Sequence, residues 1–253
     1  MRASTQSAIQ LFGAWCGVYY VVVLVLGWAL IAGFLPPHRP YADARAIAEI
    51  FAQDRIRIRI GMVMVMFGAM ILIPFTAVIS QFLARIEGRP GVLTYTALLG
   101  GAGTMVLTFY PAIWWLVAAF RPERSAELIY VLNDMAWLQL IGGVSLFFAL
   151  PASLAAAAFV DSSDQPVFPR WSGFFNMWTV VVIIPDQLLF FFRSGPFSWN
   201  GLFGFWLPFA IFAPWFLVIS HLLRKAILRE RLVTASASST ANSSVQPGVI
   251  APQ

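Results

Sequence analysis

The chain alternates between long apolar runs with almost no charge and short segments that carry most of the charged residues. A helix that crosses a bilayer needs about 20 mostly apolar residues. Six runs meet this requirement, and their predicted spans are residues 11–34, 60–84, 93–119, 136–160, 171–192 and 203–223. The pattern predicts an all-α, polytopic integral membrane protein with one six-helix transmembrane bundle over residues 1–231.

Two segments outside the spans have patterns of their own. Between residues 36 and 59, Ile47, Ile50 and Phe51 recur at helical spacing, which predicts a short helix lying in the membrane interface. Residues 232–253 contain mainly Thr, Ser, Ala and Asn with no apolar period, which predicts a disordered tail. Three alternating arginines mark the headgroup-level start of the second span: Arg55, Arg57 and Arg59.

Proline and glycine positions predict how the helices bend and pack. An interior proline frees the carbonyl four residues back and bends a helix. Gly13 and Gly17 form a Gly-x-x-x-Gly pattern, which allows close helix contact either within the chain or in a homo-oligomer. Kinked helices are predicted because prolines lie within or close to the end of five spans: Pro74, Pro111, Pro151, Pro185, Pro208 and Pro214.

Composition agrees with this pattern and limits the partners. Hydrophobic residues make up 60% of the chain and charged residues 11%, whereas a soluble domain has about 25% charged residues. The predicted partners are membrane lipids, with a homo-oligomer or a partner membrane subunit left open. The net charge is +5, but no basic stripe with interleaved aromatics is present, so nucleic acid is not a predicted partner.

The basic residues give a weak indication of orientation and source. The six predicted spans place eight of the 16 basic residues on each side, so their count does not orient the bundle. The dense cluster from Arg224 to Arg231 directly follows a span and favours cytoplasmic termini. Fifteen of the 16 are arginine, typical of a GC-rich genome, so a bacterial cytoplasmic membrane is the predicted location.

Asp186 is the acidic residue placed furthest inside a predicted span. An Asp at a helix centre costs roughly 2.5–3.5 kcal/mol on insertion, so such a residue is a functional candidate. Pro185 frees the carbonyl of Val181, Gln187 adds an amide, and Arg193 lies two turns further on the same predicted helix face. These groups predict a polar site for a cation, a proton or a hydrogen-bonding solute; the alternative is a hydrogen bond that only locks helix packing.

A second polar group lies at the start of the fourth span. Asn133 and Asp134 are adjacent there, and Gln139 follows further in. A carboxylate is favoured at a helix N-terminus, which makes Asp134 a predicted helix-start residue at the membrane surface. The alternative is that this group forms the entrance to the Asp186 site.

The remaining residues limit the chemistry. The chain has two histidines and one lysine, Lys225, which lies outside the spans; it has no Gly-x-Ser-x-Gly and no phosphate-binding loop. No cofactor, metal site or catalytic residue is therefore predicted. Three functions are left: binding or transport of a small solute or hydrophobic compound, an accessory subunit, or a cofactor-free enzyme for a lipid-soluble substrate that uses Asp134 or Asp186.

Overall fold

The computed structural model describes residues 3–243 and is all-helical over that range. Six helical segments in this range are long and apolar enough to cross a membrane, which confirms the six-helix bundle. The α-helices are α1 (Ala3–Leu24), α2 (Ala44–Gln53), α3 (Arg55–Ile86), α4 (Val92–Phe120), α5 (Ala126–Gly142), α6 (Ser145–Val160), α7 (Arg170–Ile183) and α8 (Leu207–Ser243).

Three further segments extend these helices without α-helical hydrogen bonding. A π-helical segment, Val25–Ile31, continues α1, and another, Leu202–Trp206, precedes α8. A 3₁₀ segment, Ile184–Phe191, continues α7. The predicted spans 11–34, 171–192 and 203–223 are thus each built from two kinds of helix, and the predicted span 136–160 corresponds to α5 and α6.

The six spans form a closed ring in chain order. Neighbouring spans contact one another in turn, and α8 closes the ring by packing against both α7 and α1. Because the chain has six spans, the first and last described residues, Ala3 and Ser243, lie on the same side of the bundle. The opposite side, which carries α2, is called the distal face below. The cytoplasmic location of the termini and the bacterial source stay predictions.

The predicted interfacial helix is present as α2. Asp43 precedes it and accepts a hydrogen bond from the Ala46 backbone N–H at 2.8 Å, which caps an otherwise unpaired donor. Ile47 and Phe51 are 1% and 2% exposed, so the apolar stripe of α2 lies against the bundle. Arg55 begins α3 immediately afterwards, as the alternating arginines indicate.

The prediction of disorder from residue 232 is wrong as far as Ser243. Helix α8 continues to that residue, and residues 244–253 lie outside the described part of the chain. Neither proline nor glycine occurs between Arg231 and Ser243, so no residue in this stretch terminates the helix. Arg85 and Glu230 form an ion pair at 2.9 Å that attaches α8 to the end of α3.

The Gly-x-x-x-Gly pattern of α1 is used for contacts inside this chain. A Cβ at Gly13 would lie 2.8 Å from the Pro74 carbonyl oxygen, and one at Gly17 would lie 2.3 Å from the Ser220 hydroxyl. Both distances are too short for a side chain, so α1 packs closely on α3 and α8 because these residues are glycines. The homo-oligomer stays a prediction.

Candidate functional site

Four of the six spans lose regular α-helical geometry around one cavity, which is partly open to the surface. Trp28 lies in the π-helical segment after α1, Val144 in the break between α5 and α6, Asp186 in the 3₁₀ segment, and Phe205 in the π-helical segment before α8. All four side chains line the cavity. Mid-helix 3₁₀ turns and π-bulges are common at functional sites, and broken membrane helices are typical of binding sites in transporters.

The cavity is small and its walls are largely apolar. Its volume is about 60 Å³. A water molecule needs at least about 10–15 Å³ by the same measure, so the space suits a few waters or a solute of a few non-hydrogen atoms. The lining residues are Tyr20, Leu24, Trp28, Leu107, Thr108, Leu140, Ile141, Val144, Asp186, Phe205, Pro208, Phe209 and Phe212.

The Asp186 side chain is the acidic group in the cavity wall. It is 1% exposed, and Oδ1 accepts a hydrogen bond from Gln187 Nε2 at 2.7 Å. Within residues 3–243, Oδ2 is buried and has no hydrogen-bond partner. No basic side chain is among the described residues that line the cavity. The carboxyl group therefore has an unused acceptor and no cation to neutralise it.

Gln187 attaches the 3₁₀ segment to the end of α5. Its Nε2 also donates to the Gly142 carbonyl at 3.0 Å, while the ring of Phe190 lies over Gly142, where a Cβ would be 2.3 Å from Phe190 Cζ. The sequence predicts Asp186 and Gln187 in one polar site, and the structure brings them together. Gln187 orients the Asp186 carboxyl group through its hydrogen bond to Oδ1, but it does not line the cavity itself.

Tyr20 and Thr108 form the second polar group of the wall. Thr108 Oγ1 lies 2.8 Å from the Tyr20 hydroxyl and donates to the Thr104 carbonyl at 3.1 Å. Because the threonine proton is used in that bond, the Tyr20 hydroxyl must donate to Thr108. The phenol oxygen is then left as an acceptor, so both Tyr20 and Asp186 offer acceptors. Trp28 Nε1 is a buried donor without a partner in the described chain.

Sequence reasoning misses Tyr20 and Thr108. A side-chain hydroxyl adds little to the free energy of inserting a helix into a membrane, because it donates a hydrogen bond to the backbone carbonyl one turn earlier. Thr104 donates to the Gly100 carbonyl in this way at 2.8 Å. Such residues therefore do not disturb the apolar pattern. A tyrosine in the middle of the first span is the one signal that the sequence contains.

Asn133 and Gln139, the two amides predicted on the fourth span, lie in contacts away from the cavity. Asn133 is fully buried and its Oδ1 accepts from Trp115 Nε1 at 3.3 Å. The Gln139 Oε1 accepts from Trp114 Nε1 at 2.6 Å. Both bonds join α5 to α4, so in this structure the two amides contribute to packing.

Asp134 and Arg193 lie towards the distal face, and neither lines the cavity. Arg193 has an electrostatic interaction with Asp134 and donates to the Tyr130 hydroxyl at 3.4 Å. The prediction that Arg193 shares a helix face with Asp186 is wrong, because the helix becomes 3₁₀ at Ile184 and ends at Phe191.

The prediction of Asp134 as a helix-start residue is also wrong. Helix α5 begins two turns earlier, where the Ser125 side chain caps it by accepting from Leu128 N at 3.4 Å. Glu127 is the acidic residue in its first turn. Ser125 lies in a charged segment that resembles a loop in the sequence. The sequence pattern therefore does not indicate that α5 starts there.

An aromatic cluster connects Trp28 with the distal loop. Trp28 and His38 each contact the Trp137 ring with centroids 5.7 Å apart, and the Trp199 indole donates to the His38 carbonyl at 2.8 Å. Burial lowers the pKa of His38, and interactions with Asn133 and a nearby carboxylate partly oppose that effect. The neutral imidazole is therefore the form that fits this cluster.

The described residues contain no group of three or more His, Cys, Asp or Glu side chains arranged to hold a metal ion. Comparison with protein-family models, with curated proteins and with solved structures finds no match for this chain. The functional argument therefore depends on the cavity and its residues.

Proposed function

We propose that this membrane protein binds a small cation in the Asp186 cavity, with a short alkylammonium ion as the best fit, as a step in moving it across the membrane. The observation that carries the proposal is the buried Asp186 carboxyl group, which belongs to the wall of a cavity without basic residues among the described lining and whose Oδ2 has no hydrogen-bond partner in the described chain. An isolated charge in apolar surroundings costs several kcal/mol, so this carboxyl requires a proton or a cation beside it.

The cavity wall favours a cation that also has an apolar part. Aromatic faces attract cations, most strongly where water is excluded. An ammonium group donates hydrogen bonds, and Asp186 and Tyr20, which both belong to the cavity wall, each have an acceptor that no hydrogen bond within the described chain uses. The aromatic rings in the wall belong to Tyr20, Trp28, Phe205, Phe209 and Phe212. The volume of about 60 Å³ limits the solute to a few non-hydrogen atoms.

The broken helices support transport rather than storage. Val144 lies near the middle of the fourth span and Asp186 follows the end of α7, so the cavity lies within the bilayer. Helices that are interrupted at that depth can rearrange without losing a full ladder of hydrogen bonds.

The alternative is an accessory subunit in which this region only locks the helices. The bond from Gln187 to the Gly142 carbonyl favours it, since that bond joins two spans directly. It leaves the unused oxygen of Asp186 without a role.

The test uses radiolabelled methylammonium and the purified protein in proteoliposomes. We expect saturable uptake by the wild-type protein and a loss of at least about tenfold in Asp186→Asn. Asp164→Asn, which neutralises an exposed acid in the loop after α6, is the matched control and retains uptake.

A binding measurement separates transport from binding alone. Methylammonium at about 100 times its Kd stabilises a protein by about 2.7 kcal/mol, which a thermal shift detects. Stabilisation of the wild type without uptake would support a binding role alone. If methylammonium neither enters the vesicles nor stabilises the wild-type protein, the proposal is rejected.

A further inference from the structure

The start of α3 and the end of α4 enclose two adjoining hollows at the distal face. The first has a volume of about 270 Å³ and is bordered by α2 and the loop before α5. The second has a volume of about 630 Å³ and lies between α3 and α4. Neighbouring residues divide between them: Arg55 and Arg121 line the first, while Ile56 and Phe120 line the second.

Phe120 marks the boundary between the two hollows. The guanidinium carbon of Arg59 lies 5.9 Å from the Phe120 ring centroid, and that of Arg121 lies 6.0 Å from it. Two cations thus flank one ring at the level where the polar hollow meets the apolar one.

The first hollow has an excess of positive charge. Its charged residues are Arg45, Glu49, Arg55, Arg121 and Arg124. Glu49 is paired with Arg45 at 3.3 Å, and the Arg124 guanidinium donates to the Val117 carbonyl. Arg55, Arg59 and Arg121 have no carboxylate partner in the part of the chain that the structure describes. Arg55 and Arg121 in this hollow are therefore available to an anion, and Arg59, which lines the second hollow, is a third such group.

The second hollow faces the lipid and is apolar apart from Arg59. Ile60, Val63 and Phe120 are 52%, 43% and 59% exposed, and they line it together with Met64 and Leu116. Since these residues belong to membrane spans, the surrounding medium is hydrocarbon. An acyl chain fits this groove, with its headgroup at the level of the arginines.

We propose that these two hollows form a binding site for an anionic phospholipid. The phosphate binds Arg55 and Arg121, because guanidinium groups match phosphate oxygens in charge and geometry. The acyl chain lies along α3 and α4 beside Val63 and Phe120. This site is separate from the Asp186 cavity and does not depend on the function proposed for it.

The first experiment counts bound lipids by native mass spectrometry of the detergent-purified protein, titrated with phosphatidylglycerol or phosphatidylcholine. We expect the wild type to bind the first phosphatidylglycerol molecule at least about tenfold more tightly than the first phosphatidylcholine molecule. Each arginine near an anionic headgroup contributes roughly fivefold, so Arg55→Gln combined with Arg121→Gln weakens this binding roughly 25-fold. Arg39→Gln combined with Arg89→Gln removes the same charge from exposed positions elsewhere and leaves the preference intact.

The second experiment tests the acyl groove. Val63→Trp fills the hollow without changing any charge, and we expect it to weaken phosphatidylglycerol binding by at least about fivefold. Leu99→Trp, at a 71% exposed position of α4 outside the hollow, is its control and binds as the wild type does. Glycerol phosphate, which has no acyl chain, does not displace the lipid.

Each of the following results would overturn the proposal. One is equal binding of the two lipids by the wild type. Another is equal weakening by the site pair and the control pair of arginine substitutions, which would indicate only a general charge effect. A third is displacement of the lipid by glycerol phosphate, and a fourth is the absence of any effect of Val63→Trp. Either of these two would indicate a phosphate site without a lipid chain.

Discussion

Asp186→Leu separates a binding site from a packing lock through the sign of its effect on stability. The substitution removes a buried carboxyl oxygen that has no partner in the described chain, which relieves a cost of about 1–3 kcal/mol. It also removes the hydrogen bond from Gln187, worth about 0.5–1.5 kcal/mol, although Gln187 keeps its bond to Gly142. The leucine side chain fills part of the cavity of about 60 Å³ and adds apolar contacts.

The net expectation is an increase of about 1 kcal/mol in the free energy of unfolding, with methylammonium no longer able to stabilise the protein. For a chain of this size that increase corresponds to a rise of about 2–4 °C in Tm. The assay is thermal unfolding in detergent, followed by the fluorescence of the ten tryptophans. Stability gained when a site is destroyed is typical of functional residues, which are placed for binding rather than for packing.

Gln187→Leu is the control at the adjacent position, and its expected effect has the opposite sign. It removes the bond to the Gly142 carbonyl and leaves the Asp186 carboxyl group without its donor. We expect a loss of about 1–3 kcal/mol. A loss of more than about 2 kcal/mol in Asp186→Leu would refute the reasoning and would show that the carboxyl group holds the helices together.

Two further predictions concern packing and pH. Gly61→Ala would place a Cβ 2.2 Å from the Gly27 carbonyl oxygen. We therefore expect the free energy of unfolding, measured by thermal unfolding, to fall by about 1–3 kcal/mol. Gly103→Ala is the control and should lose less, because the atom nearest to its Cβ would be 3.1 Å away. Burial lowers the pKa of His38 below 6.5, so the unfolded chain binds a proton first as the pH falls. Stability should therefore fall by up to about 1.4 kcal/mol between pH 7.5 and 5.5, and His38→Gln should lose this pH dependence while keeping the backbone bond from Trp199; an unchanged dependence in that variant would contradict the assignment.

The apolar pattern was sufficient to predict the class of this protein. Membrane spans need long apolar runs because hydrocarbon offers no partner to a charge or to an unpaired backbone group, so the constraint acts on each segment separately. Six such runs, the interfacial helix around Ile47 and Phe51, and the unusual position of Asp186 were all visible in this way.

The apolar pattern of the sequence does not predict which residues surround Asp186. Its partner Gln187 is adjacent in sequence, but Tyr20, Thr108 and Trp28 come from two other spans and give no signal in the apolar pattern. A continuous α-helix would place Arg193 on the Asp186 face, but the helix becomes 3₁₀ at Ile184 and Arg193 contacts Tyr130 instead. No single segment predicts that the ends of regular helix in four spans meet at one cavity, because that meeting depends on how the helices pack.

The sequence by itself determined that the spans of this protein lie in lipid, because the free energy of inserting each residue into a bilayer is a property of that residue and its segment. Tertiary structure decided which polar atoms meet. The Asp186 carboxyl group has an unused oxygen because the ring of spans places aromatic and aliphatic walls around it. At the distal face, Arg55 and Arg121 have no carboxylate partner in the described chain, because the nearby acids Glu49 and Asp54 are paired with Arg45 and Arg57. Both arrangements depend on residues far apart in the chain, and their energies arise only when the helices pack.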